Sequence, residues 1–226
     1  MSIQQVIYYM EENKIIYNLL KHCPYEILKQ WTIEKFESGS TIYSQGEMYN
    51  HFSLIVEGAA NIYVVAENGK KYVQSTYYSG DMIGEIEIFK QVPYMSSVEA
   101  QTDVTIITLH RDSFLTWLQL DQNFNQYFIR KSIELSYIIT KKDEDYKLYS
   151  LHSLICKHLL EKAPTGKKQT KGIAITIDKH QLSERLAVTQ RSINRVLSSL
   201  KEKQIIDLKN QIIIIQDIAR LQKEGL

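Results

Sequence analysis

The sequence predicts an α+β protein with three parts in chain order: an antiparallel, jelly-roll-like β-roll, one long helix, and a small domain that combines helices with a β-hairpin. Short β-rich runs separated by turn residues occupy residues 36–109, which is typical of an antiparallel roll or sandwich. Residues 111–147 contain no glycine and follow a helical period. Two amphipathic helical patterns and an apolar hairpin pattern come last. We therefore expect domains at residues 1–110, 111–146 and 147–226.

The composition is that of an ordinary globular protein, with 44% apolar and 23% charged residues among 226. No apolar run approaches the roughly 18 residues that span a bilayer, and no basic segment precedes an apolar stretch near the start. Only two cysteines occur, Cys23 and Cys156, far apart and without CxxC spacing. We expect a cytoplasmic protein with reduced thiols and no membrane partner.

The charge differs between the two halves of the chain. Residues 1–146 hold 12 Lys and Arg against 19 Asp and Glu, a net charge of −7, whereas residues 147–226 hold 15 against 7, a net charge of +8. Such asymmetry indicates a basic module for a polyanion joined to an acidic module that avoids it.

The roll is predicted from its turn residues. Asn68-Gly69 lies between two alternating apolar runs and predicts a hairpin with a type I′ turn, in which both central residues need positive φ. The segments IYSQGE, LIVEG, YYSGDMIGE and VEAQTDVTIITL then follow in order. Over about Gly39 to Leu118 they resemble the cyclic-nucleotide-binding β-roll of the Crp/Fnr transcription regulators, which implies a sensor domain.

The resemblance also locates a candidate effector pocket. Glu85 matches the family's glutamate for the ribose hydroxyl, but Tyr94 and Met95 stand at the positions of the Arg-Ser pair for the cyclic phosphate, in a loop one residue short. A buried phosphate without a guanidinium is a desolvated, unpaired charge, so we expect no regulation by cAMP. The pocket would suit a neutral or apolar ligand, or be filled by its own side chains. Its candidate residues are Ile83, Gly84, Glu85, Tyr94, Met95 and Ser96.

The long helix carries an apolar stripe at close to the coiled-coil repeat of about 3.5 residues. Its residues are Phe124, Phe128, Leu135 and Ile138. In the resembled family this is the dimerisation helix, which implies a homodimer with a parallel partner helix. The alternative is that the stripe packs on its own roll.

The last domain begins with an amphipathic helix at residues 150–163 and a basic loop at 164–172. Two short helices follow, capped by Asp178, with Gln181 at the capping-box position, and by Thr189. Ala187-Val188 forms the tight turn between them, and residues 205–217 predict a hairpin wing around Lys209-Asn210. This winged helix-turn-helix pattern resembles the Crp-type DNA-binding domain from about Asp178 to Ile215.

The second of these helices presents a polar face able to contact bases and phosphates. The predicted DNA-binding residues are Thr189, Gln190, Arg191, Ser192, Asn194, Arg195, Lys168 and Lys171. The resemblance makes Arg195 a base reader. Gln190 and Arg191 stand where cAMP-regulated members have Arg and Glu, which implies a different half-site. The expected partners are double-stranded DNA with a two-fold symmetric site and, for an activator, RNA polymerase.

Two other functions compete with this one. The roll could belong to a cupin-like metal enzyme, but the six histidines include no HxH pair, and no catalytic motif appears. Two cysteines cannot supply the four ligands of an iron-sulfur cluster. The basic domain could instead dock protein partners. We expect no catalytic residue, metal or cofactor, although haem ligation by one His or Cys stays open.

Overall fold

The computed structural model describes residues 3–209 and 212–226. The chain forms two compact units, Met1–Ile133 and Glu134–Leu226. The helices are α1 (Ile3–Glu12), α2 (Lys14–Leu20), α3 (Tyr25–Leu28), α4 (Glu85–Lys90), α5 (Arg111–Leu120), α6 (Gln122–Leu148), α7 (Leu151–Lys162), α8 (Lys179–Arg185), α9 (Gln190–Glu202) and α10 (Ile218–Glu224). The strands are β1 (Thr32–Phe36), β2 (Thr41–Tyr43), β3 (His51–Glu57), β4 (Ala59–Val65), β5 (Lys71–Tyr78), β6 (Met82–Ile83), β7 (Ser97–Ala100), β8 (Val104–His110), β9 (Lys167–Gln169), β10 (Gly172–Thr176), β11 (Ile206–Lys209) and β12 (Ile212–Ile215).

The first unit contains an antiparallel β-roll of two four-stranded sheets, ordered β1-β8-β3-β6 and β2-β7-β4-β5. The α+β prediction is therefore confirmed. Strands β3 and β8 pair from His51 opposite His110 to Glu57 opposite Thr105, with a shift of register between Ile55 and Glu57. Every residue of both strands except His51, Glu57 and His110 is buried, because both faces of this sheet are covered.

One of the covering layers is the helical segment that precedes the roll. Val6, Ile16 and Leu20 from α1 and α2 are buried in one core with Trp31 and Trp117. Apolar spacing along α1 and α2 thus buries a face of the roll that would otherwise be exposed to water.

The β4–β5 turn differs from the predicted type I′ hairpin. Ala66 accepts a hydrogen bond from the Gly69 N–H (2.8 Å), so the central turn residues are Glu67 and Asn68. Among described residues other than glycine, only Gln91, Ala187 and Gln204 have positive φ. Gly69, with φ of 77°, alone takes the left-handed conformation in this turn. This is a type I turn followed by a glycine bulge, a connection one residue longer than predicted.

The segment predicted as one helix is two helices, α5 and α6. Asp121 separates them with an extended backbone, and its buried carboxylate accepts hydrogen bonds from Trp117 Nε1 (3.1 Å) and from the backbone N–H groups of Asn123 and Phe124 (3.0 Å each). Asp121 therefore caps α6, and the hydrogen bond from the indole four residues earlier adds to the local preference of Asp for that position.

The second unit combines α7 to α10 with a four-stranded antiparallel sheet ordered β11-β12-β10-β9. Residues 164–172, predicted as a basic loop, include strand β9, and Lys168 pairs with Ile173 of β10. Strands β11 and β12 form the predicted wing; Asn210 of its predicted turn lies outside the described residues. Ile155, Leu159, Ile193, Leu197 and Leu200 are fully buried in the core of this unit.

Candidate nucleic-acid interface and effector site

The two predicted N-caps and the turn of the helix-turn-helix are present, but among the described residues the Gln181 side chain makes no capping-box hydrogen bond to Asp178. The Asp178 carboxylate accepts from the N–H groups of His180 (2.8 Å) and Gln181 (3.1 Å) and begins α8. Thr189 Oγ1 accepts from the Ser192 N–H (3.2 Å) and begins α9. Ala187 lies between them with φ of 49°, the conformation that glycine would adopt without strain. The caps and the turn thus fix where α9 starts.

Helix α9 divides sharply into a buried and an exposed side. Ile193, Val196, Leu197 and Leu200 are buried. The opposite side exposes Gln190, Arg191, Asn194 and Arg195, together with Ser198, which the sequence reasoning missed. Ser198 follows Asn194 by four residues and so lies on the same helix face. The Ser192 hydroxyl lies 3.0 Å from Thr189 Oγ1 within the cap.

The cations of this face have no acidic neighbour. No carboxylate in the described part of the chain lies within ion-pair distance of Arg191 or Arg195, whereas Lys201 lies 3.3 Å from Asp207 and Lys203 lies 2.7 Å from Glu224. Two exposed guanidiniums one helical turn apart are therefore available for phosphate or base oxygens.

The basic hairpin adds a second cationic surface. Lys168 on β9 and Lys171 before β10 are both exposed. We expect Lys168→Ala with Lys171→Ala to weaken binding to all duplexes alike and to reduce the slope of log K against log salt by about 1 for each phosphate that the protein no longer neutralises. Titrations at several salt concentrations measure this slope, with Lys35→Ala on β1 as a control. A changed base preference with an unchanged slope would contradict a phosphate-binding role.

The interior of the roll is filled where the effector pocket is predicted. The Tyr94 side chain is buried, and its ring centroid lies 5.0 Å from that of Tyr43 and 5.1 Å from that of Tyr49. Its hydroxyl, which has no hydrogen-bond partner among the described residues, lies against the position that a Cβ of Gly84 would take. A side chain at position 84 would thus collide with Tyr94, and Gly84 has φ of 90°.

The six predicted pocket residues do not line one cavity. Ile83, Gly84 and Tyr94 lie in the interior, Glu85 and Ser96 are half-buried, and Met95 is 57% exposed. Ser96 Oγ donates to Gln74 at the surface (2.8 Å). Tyr43 and Tyr49, which are not among the predicted pocket residues, complete the cluster of rings around Tyr94. The sequence points to Tyr43 only through its place in the IYSQGE motif.

The surroundings of Glu85 are acidic. Burial, with smaller contributions from Glu87 and Asp81, raises the pKa of Glu85 to about 7 against the opposing effect of a backbone hydrogen bond. Lys131 lies 3.5 Å from Asp81. No lysine or arginine side chain is buried within residues 3–209 and 212–226. This interior therefore opposes a second buried negative charge.

Glu85 makes the stability of the protein depend on pH. The folded-state pKa of about 7 exceeds the ordinary value of 4.5, so the folded state binds more protons between these pH values. The Glu85 contribution to stability is thus complete below pH 4.5 and is lost as pH rises through 7. We expect Glu85→Gln to be more stable than wild type at alkaline pH, by on the order of 2 kcal/mol, and to leave DNA binding unchanged. Denaturant unfolding of wild type and Glu85→Gln, once below pH 4.5 and once above pH 7, tests this. A difference in unfolding free energy that does not change with pH would contradict it.

Two residues of the predicted dimerisation stripe need correction. Phe124 and Phe128 are buried in the first unit, where Phe124 stacks on Trp117 with centroids 3.5 Å apart, so they cannot face a partner helix. Leu135 is half-buried and Ile138 is 53% exposed. A different apolar set on α6 is exposed: Ile129 (50%), Ile133 (64%) and Tyr137 (62%), at intervals of four residues. Phe124 and Phe128 have the spacing of an interface stripe because they form the face of α6 that packs on the roll.

Histidines and acids do not form a metal centre in the part of the chain that the structure describes, where no group of three or more metal-ligating side chains is found. No helix among the same residues is both long and apolar enough to cross a membrane.

Two family models match the chain. The cyclic nucleotide-binding domain matches residues 33–121, and the Crp-like helix-turn-helix domain matches residues 154–224. Curated relatives include the CRP-like cAMP-activated global transcriptional regulator of Mycobacterium tuberculosis, 22% identical over 202 residues, which cover 88% of this chain and 90% of the relative. The cAMP-activated global transcriptional regulator CRP of Salmonella typhimurium is 22% identical over 186 residues, which cover 81% and 89%.

Solved structures share the fold over most of their length. A variant of CooA from Carboxydothermus hydrogenoformans has a TM-score of 0.72 at 16% identity and covers 92% of this chain and 94% of its own. The c-di-GMP responsive global regulator CLP of Xanthomonas campestris has a TM-score of 0.72 at 13% identity and covers 89% and 98%. With the roll, the long helix and the winged helix-turn-helix in the same order, this chain belongs to the Crp/Fnr family of DNA-binding transcriptional regulators, which are not enzymes.

Proposed function

We propose that this chain acts as a homodimer that binds a two-fold symmetric DNA site and is not regulated by cAMP. The observation that carries the proposal is the exposed face of α9, with Arg191 and Arg195 unneutralised by any described carboxylate. In a dimer, two such helices about 34–36 Å apart enter successive major grooves.

The α9 side chains suit direct base reading. Arg191 and Arg195 can each donate two hydrogen bonds to guanine O6 and N7, and Gln190 and Asn194 can each pair with adenine N6 and N7. Thr189 and the backbone N–H groups at the start of α9 suit a phosphate. The pair Gln190 and Arg191 therefore favours a half-site different from that of the cAMP-regulated members.

The dimer is supported by the apolar residues that α6 leaves exposed. Ile129 and Ile133 lie one helical turn apart, and Tyr137 one turn further, so they form one stripe along the helix. A two-fold axis beside α6 would bring this stripe against its copy, and a two-fold dimer is the commonest oligomer. We refer to Ile129, Ile133 and Tyr137 as the dimer stripe.

The absence of cAMP control is supported by the roll interior. Tyr94 is buried where the resemblance expects an arginine, and Glu85, Glu87 and Asp81 add negative charge nearby. A phosphate there would lack a charged donor and face repulsion. The cytoplasm is the proposed location because the DNA target lies there, and RNA polymerase would be the protein partner of an activator.

Selection from a pool of random duplexes tests this function. Purified, exhaustively dialysed protein is incubated with the pool at about 0.15 M salt, and bound sequences are read. We expect an inverted repeat whose half-sites are one helical turn apart, bound by two protomers. An asymmetric site bound by one protomer would refute the homodimer, and enrichment of no sequence would refute specific recognition.

A further inference from the structure

The last turns of α6 belong to the same compact unit as the helix-turn-helix, because that unit begins at Glu134. Within it, Tyr146 on α6 donates its hydroxyl hydrogen to the backbone carbonyl of Arg185 (2.6 Å). Arg185 is the last residue of α8, two positions before the strained Ala187 turn. The carbonyls at the end of a helix lack helical partners, so a side chain of α6 caps α8 here.

A second contact holds the same end of α6. Asp145 lies 2.9 Å from Lys157 Nζ on α7, and the same ammonium lies 3.1 Å from the centroid of the Tyr149 ring. This cation is thus held by a carboxylate and an aromatic face together. Adjacent residues on α6 therefore bind two different helices of the DNA-binding unit.

Charged side chains of α6 and α7 lie close to Arg185 at this junction. Lys142 is half-buried on α6, and burial together with Arg185 lowers its pKa to about 8. The Arg185 guanidinium lies 3.9 Å from Glu161 on α7. The end of α6, the second half of α7 and the end of α8 thus carry the charged and polar groups of this junction.

We propose that Tyr146 and Asp145 are positioning residues that fix α8, and through the turn also α9, relative to α6, and so set the spacing between half-sites that the dimer accepts. This inference rests on the proposed homodimer. With the junction intact, each α9 is held through α8 on the last turns of α6. Moving one half-site by one base pair displaces it by about 3.4 Å along the axis and rotates it, which a rigid dimer cannot follow.

The test is a spacing series with matched variants. Duplexes carry the selected half-sites at the preferred spacing and at one base pair more or fewer. The variants are Tyr146→Phe, which removes one hydroxyl, Asp145→Asn, and the control Tyr149→Phe, whose hydroxyl has no partner among the described residues. We expect wild type and Tyr149→Phe to lose about tenfold or more at the wrong spacings, a loss comparable to that of a mismatched base pair.

The expected result for Tyr146→Phe and Asp145→Asn is a flatter profile, with a loss of only a few-fold at the wrong spacings. Variants that bind every duplex more weakly, but with the wild-type profile, would show a merely structural role and overturn the positioning role. An unchanged profile at unchanged affinity would overturn it too. A wild type without spacing dependence would also overturn the positioning role, whereas one protomer bound per duplex at the preferred spacing would overturn the homodimer, so the two failures are distinguishable.

Discussion

Replacing Ile133 by glutamate is expected to dissociate the dimer and to weaken binding to the two-fold site by roughly a hundredfold or more, which corresponds to about 3 kcal/mol. Ile133 is 64% exposed in the single chain and lies in the middle of the dimer stripe. A carboxylate there would be buried against its own copy, where two like charges meet without a partner. Sedimentation measures the mass, and a binding titration measures the affinity.

Ile138→Glu is the matched control for this prediction. Ile138 lies on the same helix and is 53% exposed, but the 3.6-residue period of a helix turns it away from Ile129 and Ile133. We expect this variant to remain dimeric. A dimeric Ile133→Glu beside a monomeric Ile138→Glu would show that the interface follows the side of α6 predicted from the sequence, and the dimer stripe would be wrong.

Replacing Arg195 by alanine is expected to weaken binding to the preferred site by about 1–3 kcal/mol and to remove selectivity at one base position of each half-site. The guanidinium is exposed and has no carboxylate among the described residues within ion-pair distance. Its removal therefore disturbs no internal pair, and the effect on folding should be small.

The measurement for Arg195 is affinity for a set of duplexes that differ at each half-site position. Lys171→Ala is the control, since removal of a phosphate-binding lysine weakens every duplex equally. An Arg195→Ala protein that ranks the duplexes as wild type does would refute base reading by this residue.

The sequence predicts best the features that depend on neighbours in the chain. Asp178 and Thr189 cap α8 and α9 because a short side-chain oxygen reaches N–H groups two or three residues ahead. The face of α9 follows from helical periodicity alone. Such local geometry is fixed by residue type and spacing, so it can be derived without the fold.

The features that the sequence predicts poorly depend on distant residues. Asp121 is a local exception: it fits the helical pattern, but its carboxylate caps α6 and accepts from Trp117 four residues earlier, so the segment forms two helices instead of one. Phe124 and Phe128 repeat like an interface stripe, but they pack in the roll core. The Tyr94 side chain fills the predicted pocket because Tyr43 and Tyr49 surround it, and these contacts join separate parts of the chain.

The most direct measurement is the affinity of dialysed protein for its selected two-fold site, with and without added cAMP, at about 0.15 M salt. We predict nanomolar binding by two protomers that cAMP leaves unchanged, because the roll interior holds Tyr94 and no buried lysine or arginine in the described residues. Weak binding that cAMP strengthens tenfold or more, about 1.4 kcal/mol, would contradict the account, since a nucleotide would then bind a roll that has no charged donor for its phosphate.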